Sequence, residues 1–193
     1  MAKSKQTSAS GQLRIIAGKW RGRKLTILDV EGLRPTPDRV RETVFNWLQA
    51  YIGGAVCLDL FSGSGALGFE AASRGADAVT LVEVNAKAAQ QLQQNNNDLT
   101  AKNCQIEHKT AQQFLVENVQ QYDIVFIDPP YQADVWTEIA EQLQDTNALA
   151  DEALIYLECP SQKNLPRLPE CWQLLKEKKA GDVRYCLFGN TSK

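Results

Sequence analysis

From Ala55 onward the chain alternates short, nearly unbroken apolar runs with segments whose apolar residues recur at helical spacing. The runs AVCLDL (55–60), AVTLVEV (78–84), CQIEH (104–108), YDIVFID (122–128) and ALIYLEC (153–159) have strand length. Helix-like segments fill 66–74, 86–97, 111–119 and 135–143 between them. Strands apolar on both faces, separated by helices, predict a parallel sheet covered on both sides. The ending differs. WQLLKEKKAGDVRYCLFG (172–189) is two strand-like runs around Ala180-Gly181, which predicts an antiparallel hairpin. The expected fold is α/β, a doubly wound Rossmann-like sheet with that hairpin at one edge.

Ahead of the sheet the pattern changes. Residues 1–12 are polar and predict a disordered tail without the apolar core of a signal peptide. LRIIAGKWRGRKLTIL (13–28) predicts a small β-hairpin turning at Gly18 to Gly22. RPTPDRVRETVFNWLQAYI predicts a helix, with Thr36 as N-cap, Pro37 at the first helical position and Asp38 near the positive dipole end. Val40, Val44, Trp47, Leu48 and Tyr51 form its apolar stripe. The expected organisation is a tail (1–12), a hairpin-and-helix extension (13–53) and one α/β domain (54–193).

Charge sharpens that division. Residues 1–41 hold ten Lys or Arg against three acids, a net +7, so a chain of net −2 carries −9 on its remaining 152 residues. A basic segment on an acidic body predicts a localised anionic partner. The extent of apolar sequence excludes a membrane helix, since no run approaches the ~20 residues a span needs. Five cysteines without a C-x-x-C pair and a single histidine offer little for zinc; reduced core thiols are expected, and no metal. The protein is expected in the cytoplasm.

The candidate chemistry lies at two strand ends. DLFSGSGALGFE (59–70) follows the first sheet strand, and Gly63, Gly65 and Gly68 complete a G-x-G-x-x-G whose glycines permit a tight turn. Glu83 ends the next strand, 20 residues after Gly63, where an acid reaches ribose hydroxyls. Asp59 precedes the loop by four residues. An acid there repels a pyrophosphate and suits a cation, which favours S-adenosyl-L-methionine over a dinucleotide; holding loop amides is the compatible structural role for Asp59. The neighbouring Phe61, Ser62 and Val84 belong to the same expected cofactor site.

The fourth run ends on Asp128-Pro129-Pro130-Tyr131. Prolines cannot donate to a sheet ladder, so their place at a strand end calls for a reason other than pairing. At the carboxyl edge of a doubly wound sheet they stiffen a turn and leave carbonyls to accept from a substrate amine. Asp128 supplies a second acceptor and Tyr131 a flat face for a base. Two acceptors gripping an exocyclic amine can aim its lone pair at a methyl carbon, which is catalysis by positioning and electrostatics.

These motifs resemble class I S-adenosylmethionine-dependent methyltransferases with an (Asp/Asn)-Pro-Pro-(Tyr/Phe) signature. RIIAGKWRGRKL (14–25), GLRPTPDRVRETVFNWL (32–48), LDLFSGSGALGFEAASRGA (58–76), DIVFIDPPY (123–131) and LADEALIYLE (149–158) resemble, more specifically, the bacterial 16S ribosomal RNA guanine-N2 methyltransferase family known as RsmD. The resemblance implies methylation of the N2 amine of one guanine, nucleotide 966 in common numbering, in an assembled or assembling 30S particle. It gives Asp128, Pro129, Pro130 and Tyr131 the base-gripping role, and Asp59, Gly63, Gly65 and Glu83 the cofactor role. Arg14, Lys19, Arg21, Arg23, Lys24, Arg34, Arg39 and Arg41 would hold RNA phosphates, although Arg39 and Arg41 are also placed to salt-bridge to the body. Trp20 suits either base stacking or packing beneath the hairpin.

One departure stands out: where relatives place Asp or Asn for the adenine amine, this chain has Thr110, so the adenine contact is expected from the backbone of Ala111 and Gln112. His108 is set aside as a structural strand-end residue. Adenine N6, a glutamine amide, an NAD-dependent oxidation and a non-catalytic RNA-binding module are the competing readings. Nothing demands more than a monomer.

Overall fold

A computed structural model describes residues 10–28 and 37–191. It opens with a separate antiparallel hairpin, β1 (Ser10–Arg14) and β2 (Lys24–Leu28), with Leu13 opposite Leu25. Then follow α1 (Asp38–Trp47), β3 (Val56–Asp59), α2 (Ala66–Ser73), β4 (Ala78–Val82), α3 (Ala86–Leu99) and β5 (Cys104–Glu107). The second half is α4 (Ala111–Glu117), β6 (Tyr122–Ile127), α5 (Trp136–Asp145), β7 (Leu149–Pro160), β8 (Trp172–Ala180) and β9 (Val183–Asn190). Seven strands form one sheet in the order β5-β4-β3-β6-β7-β9-β8. The first five are mutually parallel, and β9 runs antiparallel to both β7 and β8.

The order decides where a ligand belongs. From β3 the chain winds outward through β4 to β5, then returns to the other side of β3 and winds through β6 to β7. The carboxyl ends of β3 and β6 therefore flank the crevice at the point of reversal. Both strand sequences are apolar because each face is covered. One core joins the hairpin, α1, α2 and α3 to residues such as Cys57, Phe126 and Tyr156; the other joins α4 and α5 to Leu58, Val125 and Leu157.

The hairpin is built into the first core through Leu13, Ile15, Trp20, Leu25 and Ile27. Its docking is polar as well as apolar. The fully buried Glu70 of α2 accepts from the backbone N–H groups of Ile16 (2.8 Å) and Ala17 (3.0 Å) and from Nε of Arg74 (2.7 Å). Ser73 donates its hydroxyl to the Ala17 carbonyl and accepts from Trp20 N–H, while its own carbonyl takes Lys19 N–H at 2.7 Å. A Cβ on Gly18 would stand 1.8 Å from that carbonyl, and its φ is +83°, so only glycine fits the approach. On α3, Asn95 pairs with both the N–H and the carbonyl of Thr26, taking the place of a neighbouring strand.

Several local expectations change. The first strand takes in Ser10, Gly11 and Gln12, which the polar pattern assigned to the tail. Pro37 sits at the cap of α1 rather than inside it, with ψ 145° and its carbonyl accepting from Val40 and Arg41; Thr36 lies outside the described residues. Tyr51 falls beyond the end of α1 and is 58% exposed, whereas Phe45, outside the expected stripe, is buried 6.0 Å from Phe126. The helix is wedged between hairpin and sheet, and so buries a wider arc than one stripe. Cys57, Cys159 and Cys186 are buried free thiols, and Cys104 and Cys171 half-buried ones. Burial pushes Cys104 and Cys186 up to about 12, which keeps them unreactive.

Candidate active site

The loop after β3 is held by its own ends. Ser62 donates its hydroxyl to the Asp59 carbonyl (2.9 Å), and its N–H reaches the Val82 carbonyl on β4. Gly63 (φ +49°) donates to Glu83 Oε2 at 2.8 Å, and Asn85 N–H donates to Oε1 at 2.7 Å. Glu83 thus clamps the loop to the end of β4, a role that motif reasoning did not assign. Gly65 opens α2 in the left-handed region, φ +77°, and a Cβ there would lie 2.5 Å from the Phe69 ring. Gly68 lets α2 close onto β4, since a Cβ would meet Leu81 at 2.7 Å. A shallow crevice between β2 and α3, lined by Leu28, Gln91 and Asn95 among others, reaches Gly63 and Ser64, so the hairpin borders this loop. Phe61 is half-buried against the second core, and Val84 is exposed with its carbonyl 3.1 Å from His108 Nε2, which gives the histidine a structural partner.

Asp59 is 2% exposed and carries the electrostatic signature of the site. Burial raises its pKa from 3.8 to about 7; the N–H groups of Gly68 (3.0 Å) and Phe61 pull it down, while Asp128 and Glu83 push it up. No ion pair offsets it among the described residues. A buried acid surrounded by acids and backbone donors suits a ligand that brings a positive charge. S-adenosyl-L-methionine, with an ammonium, a sulfonium and a ribose diol, fits this donor set beside the cradle of the glycine loop.

The Asp-Pro-Pro-Tyr turn leaves β6 next to that cradle. Asp59 is in register with Phe126, two residues before Asp128. Asp128 is half-buried, Pro129 buried, Pro130 exposed and Tyr131 half-buried. The Pro130 carbonyl closes the turn by accepting from Ala133 N–H (2.9 Å). Tyr131 packs at 6.3 Å from the Trp136 ring, which steadies it at the crevice wall.

The adenine side is simpler than expected of a departure. Thr110 caps α4: its hydroxyl accepts from Gln113 N–H, and the Gln113 side chain accepts from Thr110 N–H. Ala111 is buried in the first turn, and the Gln112 carbonyl accepts from Gln142.

The basic residues divide. Arg14, Lys19, Arg21, Arg23, Lys24 and Arg39 are exposed; Arg34 lies outside the described residues. Arg41 is fully buried, which corrects the expectation that it meets RNA. Its guanidinium bonds Asp38 (2.7 Å) and the Arg14 carbonyl (2.9 Å) and lies 3.5 Å from Glu70, so it braces the hairpin against α1 and α2. Trp20 is likewise buried, with Lys19 Nζ 5.6 Å from its ring centre; it packs beneath the hairpin. Among the described residues no cluster of His, Cys, Asp or Glu is arranged to hold a metal ion, and no helix is long and apolar enough to cross a membrane.

A sheet of this order, with a buried acid, a glycine loop and a second acid along its reversal point, defines an S-adenosylmethionine-dependent methyltransferase of the doubly wound class. Comparison with known proteins narrows this. The family described as Conserved hypothetical protein 95 matches residues 13–189. The chain is 50% identical over 181 residues to Ribosomal RNA small subunit methyltransferase D of Escherichia coli (strain K12), covering 94% of this chain and 91% of that one. It is 46% identical over 194 residues to the protein of the same name from Haemophilus influenzae, covering 98% and 100%. The solved structure of the "Putative methyltransferase yhhF from Escherichia coli" superposes with a TM-score of 0.89 at 46% identity, covering 95% of this chain and all of the other. The chain belongs to this family of methyltransferases, RsmD.

Proposed function

We propose that the protein transfers a methyl group from S-adenosyl-L-methionine to the exocyclic N2 of one guanine of 16S ribosomal RNA, the guanine at nucleotide 966. The observation that carries the reading is the delivery of Asp128-Pro129-Pro130-Tyr131 to the reversal point of the sheet, beside Asp59. The names of the relatives supply the substrate class.

When bound, the cofactor supplies an electrophilic methyl group on its sulfonium. Asp59 would hold its cationic end, Glu83 its ribose hydroxyls, and the first turn of α4 (Ala111, Gln112) its base. On the acceptor side, the N2 lone pair is delocalised into the guanine ring. Because Pro130 spends its carbonyl on the turn, the gripping acceptors are the Asp128 carboxylate and the Pro129 carbonyl. Holding both N2 hydrogens, they turn the lone pair toward the methyl carbon. The methyl group would pass from sulfur to N2, the C–S bond breaking as the N–C bond forms, and Asp128 would take the displaced proton along its hydrogen bond. Tyr131 stacks on the base, which must leave its own stack to enter.

Residues 13–53 form the RNA-facing extension of the methyltransferase domain, with the exposed Arg14, Lys19, Arg21, Arg23, Lys24 and Arg39 on phosphates and Arg34 included in the same set. The enzyme acts as a monomer in the cytoplasm on the 30S particle. The test is to incubate methyl-labelled cofactor with 30S subunits from cells lacking this enzyme and identify the labelled nucleoside. Label in N2-methylguanosine at nucleotide 966 is expected. Label in N6-methyladenosine, or in protein, would overturn the acceptor.

A further inference from the structure

One buried acid near the acceptor side has no part in the chemistry above. Ile127 and Leu157 form the last rung between β6 and β7, so the next residues on the two strands are Asp128 and Glu158. Both leave the sheet toward the face of Phe126 and Tyr156. Glu158 is 3% exposed, and its Oε1 accepts the Tyr156 hydroxyl at 2.6 Å. Tyr156 is fully buried, 6.1 Å from the Phe126 ring. Burial first, then the charges of Glu158 and Asp128, raise its phenol well above the usual value, which locates the hydroxyl within reach of both carboxylates' fields. The Glu158 carbonyl accepts the Trp136 indole N–H at 2.6 Å, and Trp136 is the ring that backs Tyr131. Glu158 is therefore fixed at side chain and backbone alike, beneath the turn that grips the base.

Bases differ in what they bring to such a site. The Watson–Crick edge of guanine sets the N1–H donor beside the N2 amine, two donors in a row. Adenine and cytosine set a ring-nitrogen acceptor beside theirs. The Tyr156 hydroxyl orients the Glu158 carboxylate as an acceptor group one strand across from Asp128, so the ends of β6 and β7 set carboxylate acceptors side by side. The geometry points to Glu158 as a specificity-determining residue for guanine: its buried carboxylate, oriented by Tyr156, favours an edge with two donors and disfavours one carrying an acceptor next to the amine. This rests on the reading of the enzyme as a guanine-N2 methyltransferase.

The experiment uses reconstituted 30S particles carrying either guanine or 2-aminopurine at the target position; 2-aminopurine keeps the N2 amine but has an acceptor at N1. The wild-type enzyme should prefer guanine in kcat/KM. Glu158→Gln should lower turnover of the guanine particle and narrow the guanine to 2-aminopurine ratio by about tenfold or more, because an amide can donate to N1. Tyr156→Phe should narrow it in the same direction by less, and carries the test if Glu158→Gln does not fold. Cofactor affinity should stay unchanged in both. A ratio unaltered in a folded variant of either residue would overturn the inference. A wild-type enzyme inactive on the guanine particle while methylating another acceptor would overturn the functional reading itself.

Discussion

Two buried carboxylates, one on α2 and one bonded to its first turn, do opposite work. Glu70, at the junction with the hairpin, is fully buried and meets Arg74, Arg41 and two backbone N–H groups. Asp59, at the carboxyl edge of the sheet, is as deeply buried but meets only backbone donors and two other acids. The first has its charge neutralised within the chain and holds the fold together. The second has no cationic partner in the chain, so burial raises its pKa to about 7 and leaves its ionisation to a ligand that brings positive charge, which is the physical mark of a ligand site.

Removing each acid should separate the two roles. Glu70→Ala should be the most damaging change, because it strands Arg41, whose Nε and Nη1 already lack hydrogen-bond partners, in the core. A loss of about 3–5 kcal/mol in urea unfolding is expected; a loss under 1 kcal/mol would remove Glu70 from its structural role. Asp59→Asn should do the reverse. The folded pKa lies above the unfolded one, so the stability tied to this group is present below about pH 4 and lost as pH rises through about 7. At pH 8 the unliganded variant should therefore be more stable than wild type, by ~2–4 kcal/mol. Its cofactor affinity should fall by about 2–3 kcal/mol, some tens to a hundredfold by calorimetry.

Smaller changes sharpen the same contrast. Gly65→Ala forces a Cβ against Phe69 in a left-handed backbone, and should cost about 1–3 kcal/mol of stability together with cofactor affinity. Replacing both Arg21 and Arg23 by Ala should leave the melting temperature within a degree or two, since surface contacts such as that of Arg23 with the Asp98 carbonyl contribute little. The slope of log affinity for the 30S particle against log salt should shrink by about 1.5–2. An unchanged slope would take the hairpin off the phosphates.

The cofactor side was legible in the sequence because its determinants are local. Asp59, the glycines and Glu83 fall within 25 consecutive residues, and the apolar runs around them report a parallel sheet directly. The antiparallel C-terminal hairpin was legible for the same reason. What escaped were long-range partners. Nothing local distinguishes Arg41 from Arg39, yet one is buried against Glu70 and the other exposed. The capping box at Thr110 is written locally as Thr-x-x-Gln, the same position at which relatives carry an adenine-binding Asp or Asn. Glu158 lies in ALIYLEC, where its closeness to Asp128 depends on the β6–β7 register, 30 residues apart in sequence.

The most direct test of the account is the proton balance of cofactor binding at Asp59. Calorimetric titration of S-adenosyl-L-methionine at pH 6.5, in two buffers of different ionisation enthalpy, counts the protons released. With a free pKa of about 7, wild type should release about three quarters of a proton as the bound cation forces Asp59 to ionise, and Asp59→Asn should release none. Equal release by both proteins, or none by wild type, would mean that Asp59 does not hold the charge the cofactor answers.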